Sequence, residues 1–223
     1  MPALYSTKIY APNCYYHVFN RGVNRDLIFR DREDYKTFLS FLRTYLCEKT
    51  EEKLRSLPAN SPQRYLPQSI DLIAYCLMPN HFHLVLKQKT RTAMTELLRV
   101  IGTNYAIYFN GKYNRVGTIF QGKYKAIIID NEYYLLHLTR YVHLNPVELV
   151  KDGSSKELLK NYEFSSYLEY LGIRETSWIK PGVVASYFHS PNRLGLANVN
   201  SYQSFIEDYV CDPKETLNRL TID

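Results

Sequence analysis

"MPNHFHLVL", residues 78–86, joins a Pro-Asn pair to a strongly apolar run. Just upstream, "SIDLIAYCLM" (69–78) is a second β-forming run, so Pro79 and Asn80 stand where a hairpin turn is needed. Strand side chains alternate between faces, so His81 and His83 share one face and Phe82 takes the other. Two imidazoles so placed can share a divalent cation through neutral nitrogens. They can equally be a hydrogen-bonded pair on a half-exposed strand. A second feature has to point at the same face before the cation is preferred.

On either side of this hairpin the pattern alternates between the two regular periods. "CYYHVFNRG" (14–22) reads as a strand ending at an Asn-Arg-Gly turn. "DREDYKTFLSFLRTYLCEK" (31–49) sets Tyr35, Phe38, Leu39, Leu42, Tyr45 and Leu46 at three-and-four spacing, an amphipathic helix. The polar, proline-bearing stretch 50–68 predicts an exposed excursion. Residues 92–110 carry Met94, Leu97, Leu98, Ile101, Tyr105 and Tyr108 on one helical stripe, and "TIFQGKYKAIIID" (118–130) reads as a strand. "NEYYLLHLTRYVHLNPVEL" (131–149) opens like a capped helix and reaches Pro146.

The order β-α-β-β-α-β-α predicts an α+β protein, a ferredoxin-like antiparallel sheet with helices on one face. "VKDGSSKELLKN" (150–161) reads as a Gly/Ser/Lys-rich linker, and the rest as a small, mostly helical C-terminal extension around Trp178. The expected division is a main domain over 1–150, with linker and extension over 151–223.

Composition limits the function classes. The 223 residues carry 28 Lys and Arg against 22 Asp and Glu, a net charge of +6, which suits a nucleic-acid binder without establishing one. Tyrosine is abundant at 21 residues; it can stack on bases or simply fill a sheet. Cys14, Cys47, Cys76 and Cys211 are far apart and form no CxxC pair, so neither a zinc ribbon nor a disulfide framework is indicated. The first residues lack the pattern of a signal peptide, and no stretch approaches the roughly 18 apolar residues of a membrane span. A soluble protein of the cytoplasm is expected, with no membrane partner.

The second feature lies in the last helix of the main domain. Tyr141 and Asn145 are four residues apart, and His137 extends the same stripe by one turn. A carboxamide oxygen can be a third metal ligand, and the neighbouring phenol a nucleophile once a cation or base helps it ionise. His137 is a candidate for that help. Residue type alone does not single out one tyrosine among 21, and Pro146 disfavours helical geometry at Asn145. Residues 112–129 hold no acidic side chain. Lys112, Arg115, Gln121, Lys123 and Lys125 interleave there with Tyr113, Phe120 and Tyr124, which suits phosphate contact and base stacking. Arg21, Asn24 and Arg25 sit in a turn after the first strand, which suits contact with a nucleic-acid backbone as well as plain turn chemistry. His17 and His143 are read as structural.

Taken together, "AYCLMPNHFHLVL" (74–86) and "RYVHLNPV" (140–147) resemble the metal strand and nucleophile helix of the IS200-like, single-tyrosine HUH transposases, especially their REP-associated branch. "FNRGVNRDLIF" (19–29), "RVGTIFQGKYKAIIID" (115–130) and "YEFSSYLEYLG" (162–172) resemble further family blocks in the same order, so the resemblance spans roughly 14–172. It implies that residues 1–150 are an HUH catalytic domain. It also implies a Mg²⁺ or Mn²⁺ ion on His81, His83 and Asn145, with Tyr141 attacking single-stranded or hairpin DNA to form a 5′-phosphotyrosine and release a 3′-hydroxyl. The chain departs from the family pattern at Glu148, where an arginine is common, and in the stretch 50–68, which looks like an insertion.

A transposase or hairpin-processing enzyme associated with the nucleoid is therefore expected, monomeric rather than homodimeric. The rival readings are an HUH replication initiator or relaxase, a domesticated hairpin-binding regulator without catalysis, and a metalloprotein unrelated to nucleic acid. The His strand precedes the Tyr helix here, which argues against relaxases. The last rival leaves the basic, aromatic stretch unexplained.

Overall fold

The computed structural model describes residues 10–150 and 155–189, together with 196, 199 and 201–208. Four strands, β1 (Cys14–Arg21), β2 (Ile70–Met78), β3 (His81–Gln88) and β4 (Lys125–Ile129), form one sheet in the order β2-β3-β1-β4. Every neighbouring pair is antiparallel. Strands β1 and β2 flank β3, and β3 and β4 flank β1, which is the ferredoxin-like arrangement. The register sets Phe19 and Cys76 on either side of His83, and Arg21 and Met78 on either side of His81.

Helix α1 (Arg32–Leu46) begins at a capping box in which Asp31 accepts from the Asp34 N–H and Asp34 reaches back. Two short helices follow, α2 (Glu51–Ser56) and α3 (Pro62–Ser69), then α4 (Ala93–Lys112) and α5 (Glu132–Leu144). Tyr16, Val18, Leu72, Tyr75, Leu77, Phe82, Leu84 and Leu86 form one face of the sheet and pack with Phe38 and Leu42 of α1 and Leu97, Ile101 and Tyr105 of α4. The other face, with Ala74, Cys76, Met78, Val85 and Ile129, packs with Leu135, Leu138 and Val142 of α5.

The helices therefore lie on both faces, not on one as the sequence suggested. The cause is visible in β2, buried from Leu72 to Met78 on both sides, where an uncovered face would leave a large apolar area in water. The extension completes that cover with α6 (Ser155–Asn161), α7 (Tyr167–Tyr170), α8 (Gly182–Ala185) and α9 (Tyr202–Glu207).

Three other expectations change. The stretch 50–68 is exposed as expected only through α2 and its loop: α3 starts on Pro62 and inserts Leu66, fully buried, against α1 and α4. The strand expected over 118–130 forms only from Lys125. Gly117 and Gly122 have φ of 96° and 79° and turn the chain, while Phe120 keeps a single antiparallel bridge to Gly22 and packs on Phe82. Most of the expected linker is α6, anchored by the buried Leu159; residues 151–154 lie outside the described residues, as do Cys211 and the first nine residues. Trp178 stacks on Tyr75 at the edge of the α1–α4 face, so the aromatic centre of the extension is instead Tyr167, Tyr170, Tyr202 and Phe205.

Candidate active site

The β2–β3 turn is fixed from outside. The N–H groups of Ile28 and Phe29 donate to Pro79 O, and Gly22 N donates to Asn80 O at 2.8 Å. A side chain at Gly22 would meet Asp26 O at 2.0 Å, so this close approach requires glycine. The turn in turn holds His81, whose Nδ1 lies 2.7 Å from Asn80 Oδ1.

Asn145 is aimed by the proline that follows it. Pro146 has no N–H, which deprives Val142 O of its helical donor. The Asn145 carboxamide nitrogen reaches Tyr141 O at 2.9 Å and Val142 O at 3.5 Å, and the backbone stays helical at φ −48°, ψ −42°. Asn145 is helical although Pro146 follows it, and the chain passes directly into a 3₁₀ turn, Asn145–Leu149. With its nitrogen committed to these carbonyls, Asn145 presents Oδ1 to His81 Nε2 at 3.4 Å.

His81, His83, Tyr141 and Asn145 thereby line one cavity of about 360 Å³. The imidazoles of His81 and His83 stand perpendicular with centroids 5.0 Å apart, and the Tyr141 ring meets His83 edge-on at 5.5 Å. Arg21, Arg25, Lys123 and Lys125 line the same cavity with Gln121. Glu148 is its one acidic side chain, placed there because i and i+3 eclipse on the 3₁₀ turn that starts at Asn145. Where the family commonly has an arginine, this chain brings a carboxylate to the cavity.

The donor set fits a divalent cation. Asn80 Oδ1 only accepts, so His81 carries a proton on Nδ1, and in its neutral form the ring has a lone pair on Nε2. That lone pair faces the Asn145 carboxamide oxygen, acceptor against acceptor, an arrangement that a shared proton or a cation resolves. Burial, and then the neighbouring His17 and His81 imidazoles, which disfavour a further proton, push His83 well below the usual imidazole range, so it is a neutral donor. Among the described residues no group of three or more His, Cys, Asp and Glu side chains is gathered as a metal site, so any ligand set here rests on the carboxamide.

Other candidates lie elsewhere. His137 is outside the cavity lining: its Nδ1 accepts from Arg140 at 2.7 Å, its ring packs on Tyr133 and Phe205, and burial together with Arg140 pulls its pKa down to about 4. Lys112 is paired with Asp31, Glu33 and Asp34 at the start of α1. The Arg115 guanidinium lies over Phe109, and Asn24 sits in a 3₁₀ turn with φ 54°. None of these three lines the cavity.

His17 is the residue that sequence reading passed over. On β1, its Nε2 lies 2.9 Å from His83 Nδ1, and burial pulls its pKa down to about 3. Its signal in the sequence was parity with Phe19 and Arg21, but the strand order that places it diagonally beside His83 is a long-range fact. His143 is structural as expected: it is fully buried between Tyr202 Oη at 2.6 Å and Ser166 Oγ at 2.7 Å.

Two comparisons with known proteins bear on the fold and the family. The fold is similar to that of a solved REP-associated tyrosine transposase bound to a REP hairpin, with TM-score 0.50 and 14% identity over 78% of this chain and 95% of that one. A crystal structure of a putative transposase from Deinococcus radiodurans matches at TM-score 0.37 and 14% identity, over 61% of this chain and 94% of that one. No curated protein matches the sequence significantly. The family model described as "Transposase IS200 like" matches residues 10–145, more than half of the chain and all four strands, so this protein belongs to the IS200-like transposase family.

Proposed function

We propose that this chain cuts and rejoins single-stranded DNA through a covalent bond to Tyr141, as a REP-associated transposase or hairpin-processing enzyme acting on the DNA of the cytoplasm. The observation that carries the reading is the meeting of Tyr141, His81, His83 and Asn145 at one cavity walled by Arg21, Arg25, Lys123 and Lys125. All four come from a single chain, which supports a monomer with a complete site. Residues 1–150 are then the HUH catalytic domain.

The cations of the wall hold the phosphates of a strand crossing the cavity. His81, His83 and Asn145 would hold Mg²⁺ or Mn²⁺, which when bound neutralises charge at the scissile phosphate. The Tyr141 hydroxyl loses its proton to solvent and its oxygen bonds to phosphorus; the P–O3′ bond breaks and O3′ takes up a proton. One phosphodiester replaces another, so a 3′-hydroxyl from another strand can reverse the step without an energy source. A water nucleophile would end in hydrolysis instead. The packing of Tyr141 against His83 suits attack from a fixed direction.

The test is a denaturing gel with Mn²⁺ and labelled single-stranded oligonucleotides carrying hairpins from the sequence flanking the gene. A metal-dependent covalent adduct that vanishes in Tyr141→Phe is expected. An adduct that survives Tyr141→Phe assigns another nucleophile. Hairpin binding with no adduct moves the reading to a regulator without catalysis.

A further inference from the structure

A second pocket, of about 230 Å³, adjoins the active-site cavity and shares Asn20 and Lys123 with it. Its walls are aromatic and aliphatic: Phe82 and Phe120 in edge-on contact at 5.9 Å, Tyr124, and Leu98 and Ile101 of α4. Lys123 adds a cationic side chain, and Arg99 a second whose guanidinium is paired with Glu96. Such a lining suits a flat, apolar-faced ring attached to an anionic backbone.

A second observation points to an occupant. Gly102 lines this pocket from the tenth position of the twenty-residue α4. Glycine inside a helix costs about 1 kcal/mol relative to alanine. Packing does not demand it here, because a Cβ at Gly102 would meet nothing within 4 Å, and the residue is not at positive φ. Glycine at this position leaves that part of the pocket wall without a side chain.

We infer that this pocket receives one unpaired nucleobase of the strand whose phosphate lies at Tyr141, stacked on Phe120 and Tyr124. The inference rests on the proposed function. A base entering here turns the strand around Asn20 and Lys123, which fixes the register of the scissile phosphate. Asn20 is held for this by donating to Gly122 O at 3.2 Å and accepting from Arg21 N at 2.9 Å.

The adduct-forming oligonucleotide supplies the register for the test. Each nucleotide near the cleavage point is replaced in turn by an abasic unit or by 2-aminopurine, and affinity and fluorescence are read on Tyr141→Phe protein, with and without Gly102→Leu. Leucine fills the pocket while improving helix propensity, so the variant keeps or raises its melting temperature. At one position the abasic unit is expected to weaken binding about tenfold and 2-aminopurine to be quenched, in line with a single stacked base. Both effects are expected to vanish in Gly102→Leu. Equal responses of the two proteins at every position, with DNA bound, overturn the pocket and leave the Tyr141 chemistry standing. Failure of every oligonucleotide to form an adduct overturns the underlying reading, and this inference with it.

Discussion

His17 Nε2 and His83 Nδ1 lie 2.9 Å apart in the buried layer between the sheet and α5, with their rings stacked at 5.1 Å. With the shared proton on His83, that ring keeps a lone pair on Nε2 and a fixed orientation. Partners of this kind are worth about 10–100-fold in metal affinity or activity. His17→Ala should therefore lower Mn²⁺ affinity and the rate of adduct formation by about that factor, with His17→Gln retaining part of both. Titration calorimetry and adduct time courses check it; wild-type values in His17→Ala would remove His17 from the site.

Asp34 carries the acid sensitivity of the α1–α4 face. It is fully buried, and burial alone would raise its carboxyl pKa. Hydrogen bonds from Arg30 N, Lys112 Nζ, Tyr113 Oη and Tyr108 Oη outweigh that and hold it below the usual value. A folded pKa below the unfolded one contributes stability above pH ~4 that is lost as pH falls through the folded value. Asp34→Asn should cost about 3 kcal/mol at neutral pH and flatten the acid limb of stability. Urea midpoints at pH 7, 5 and 3 report both.

The basic residues separate into two groups by placement. Lys123→Ala and Lys125→Ala should weaken single-stranded DNA binding and lower the salt slope by about 0.7 for each lost phosphate contact. Lys112→Ala should leave the slope unchanged and lower stability, because its ammonium serves the acids at the start of α1. A lower slope in Lys112→Ala would count against this division.

Glu148 places a negative charge where a phosphate is proposed to pass. Glu148→Gln should tighten DNA binding about fivefold at low salt, the effect of roughly 1 kcal/mol of like-charge repulsion. Fluorescence anisotropy across a salt series measures it, and unchanged affinity at low salt would show the carboxylate standing clear of the strand.

Gly22→Ala forces a methyl group onto Asp26 O, a backbone atom that cannot rotate away. A loss of about 1–3 kcal/mol is expected, together with weaker DNA binding through displaced Arg21 and Arg25. Chemical denaturation with anisotropy reads the two effects; a stable variant with intact binding would show that the turn has slack.

Much of the site was legible because its signals are local. His-x-His parity, the Pro-Asn turn and the Tyr141–Asn145 spacing need no more than strand and helix periods, and the β-α-β-β-α-β-α order leads directly to the antiparallel sheet. What escaped depends on contacts between distant segments. Leu66 turns a polar excursion into a core helix only because α1 and α4 leave room for it. Strand order is what brings His17 beside His83, and α5 takes the second face because β2 is apolar on both sides. The strand expected over 118–130 is interrupted at Gly122, whose positive φ is not visible in a β-forming pattern.

The back of α5 is stapled. His143 bridges Tyr202 and Ser166, and the Arg140 guanidinium lies 4.3 Å from the Phe205 ring centroid. Tyr141 looks out from the same two turns of helix, so these contacts set an angle as well as a position. A helix rolling by 20° about its axis swings a side-chain tip at its outer radius through about 2 Å. An error of 1 Å at a reacting atom can cost about a hundredfold in rate. Under the proposed function the extension would act as a torsional brake on Tyr141, its contacts behind α5 setting the angle at which the tyrosine oxygen meets phosphorus.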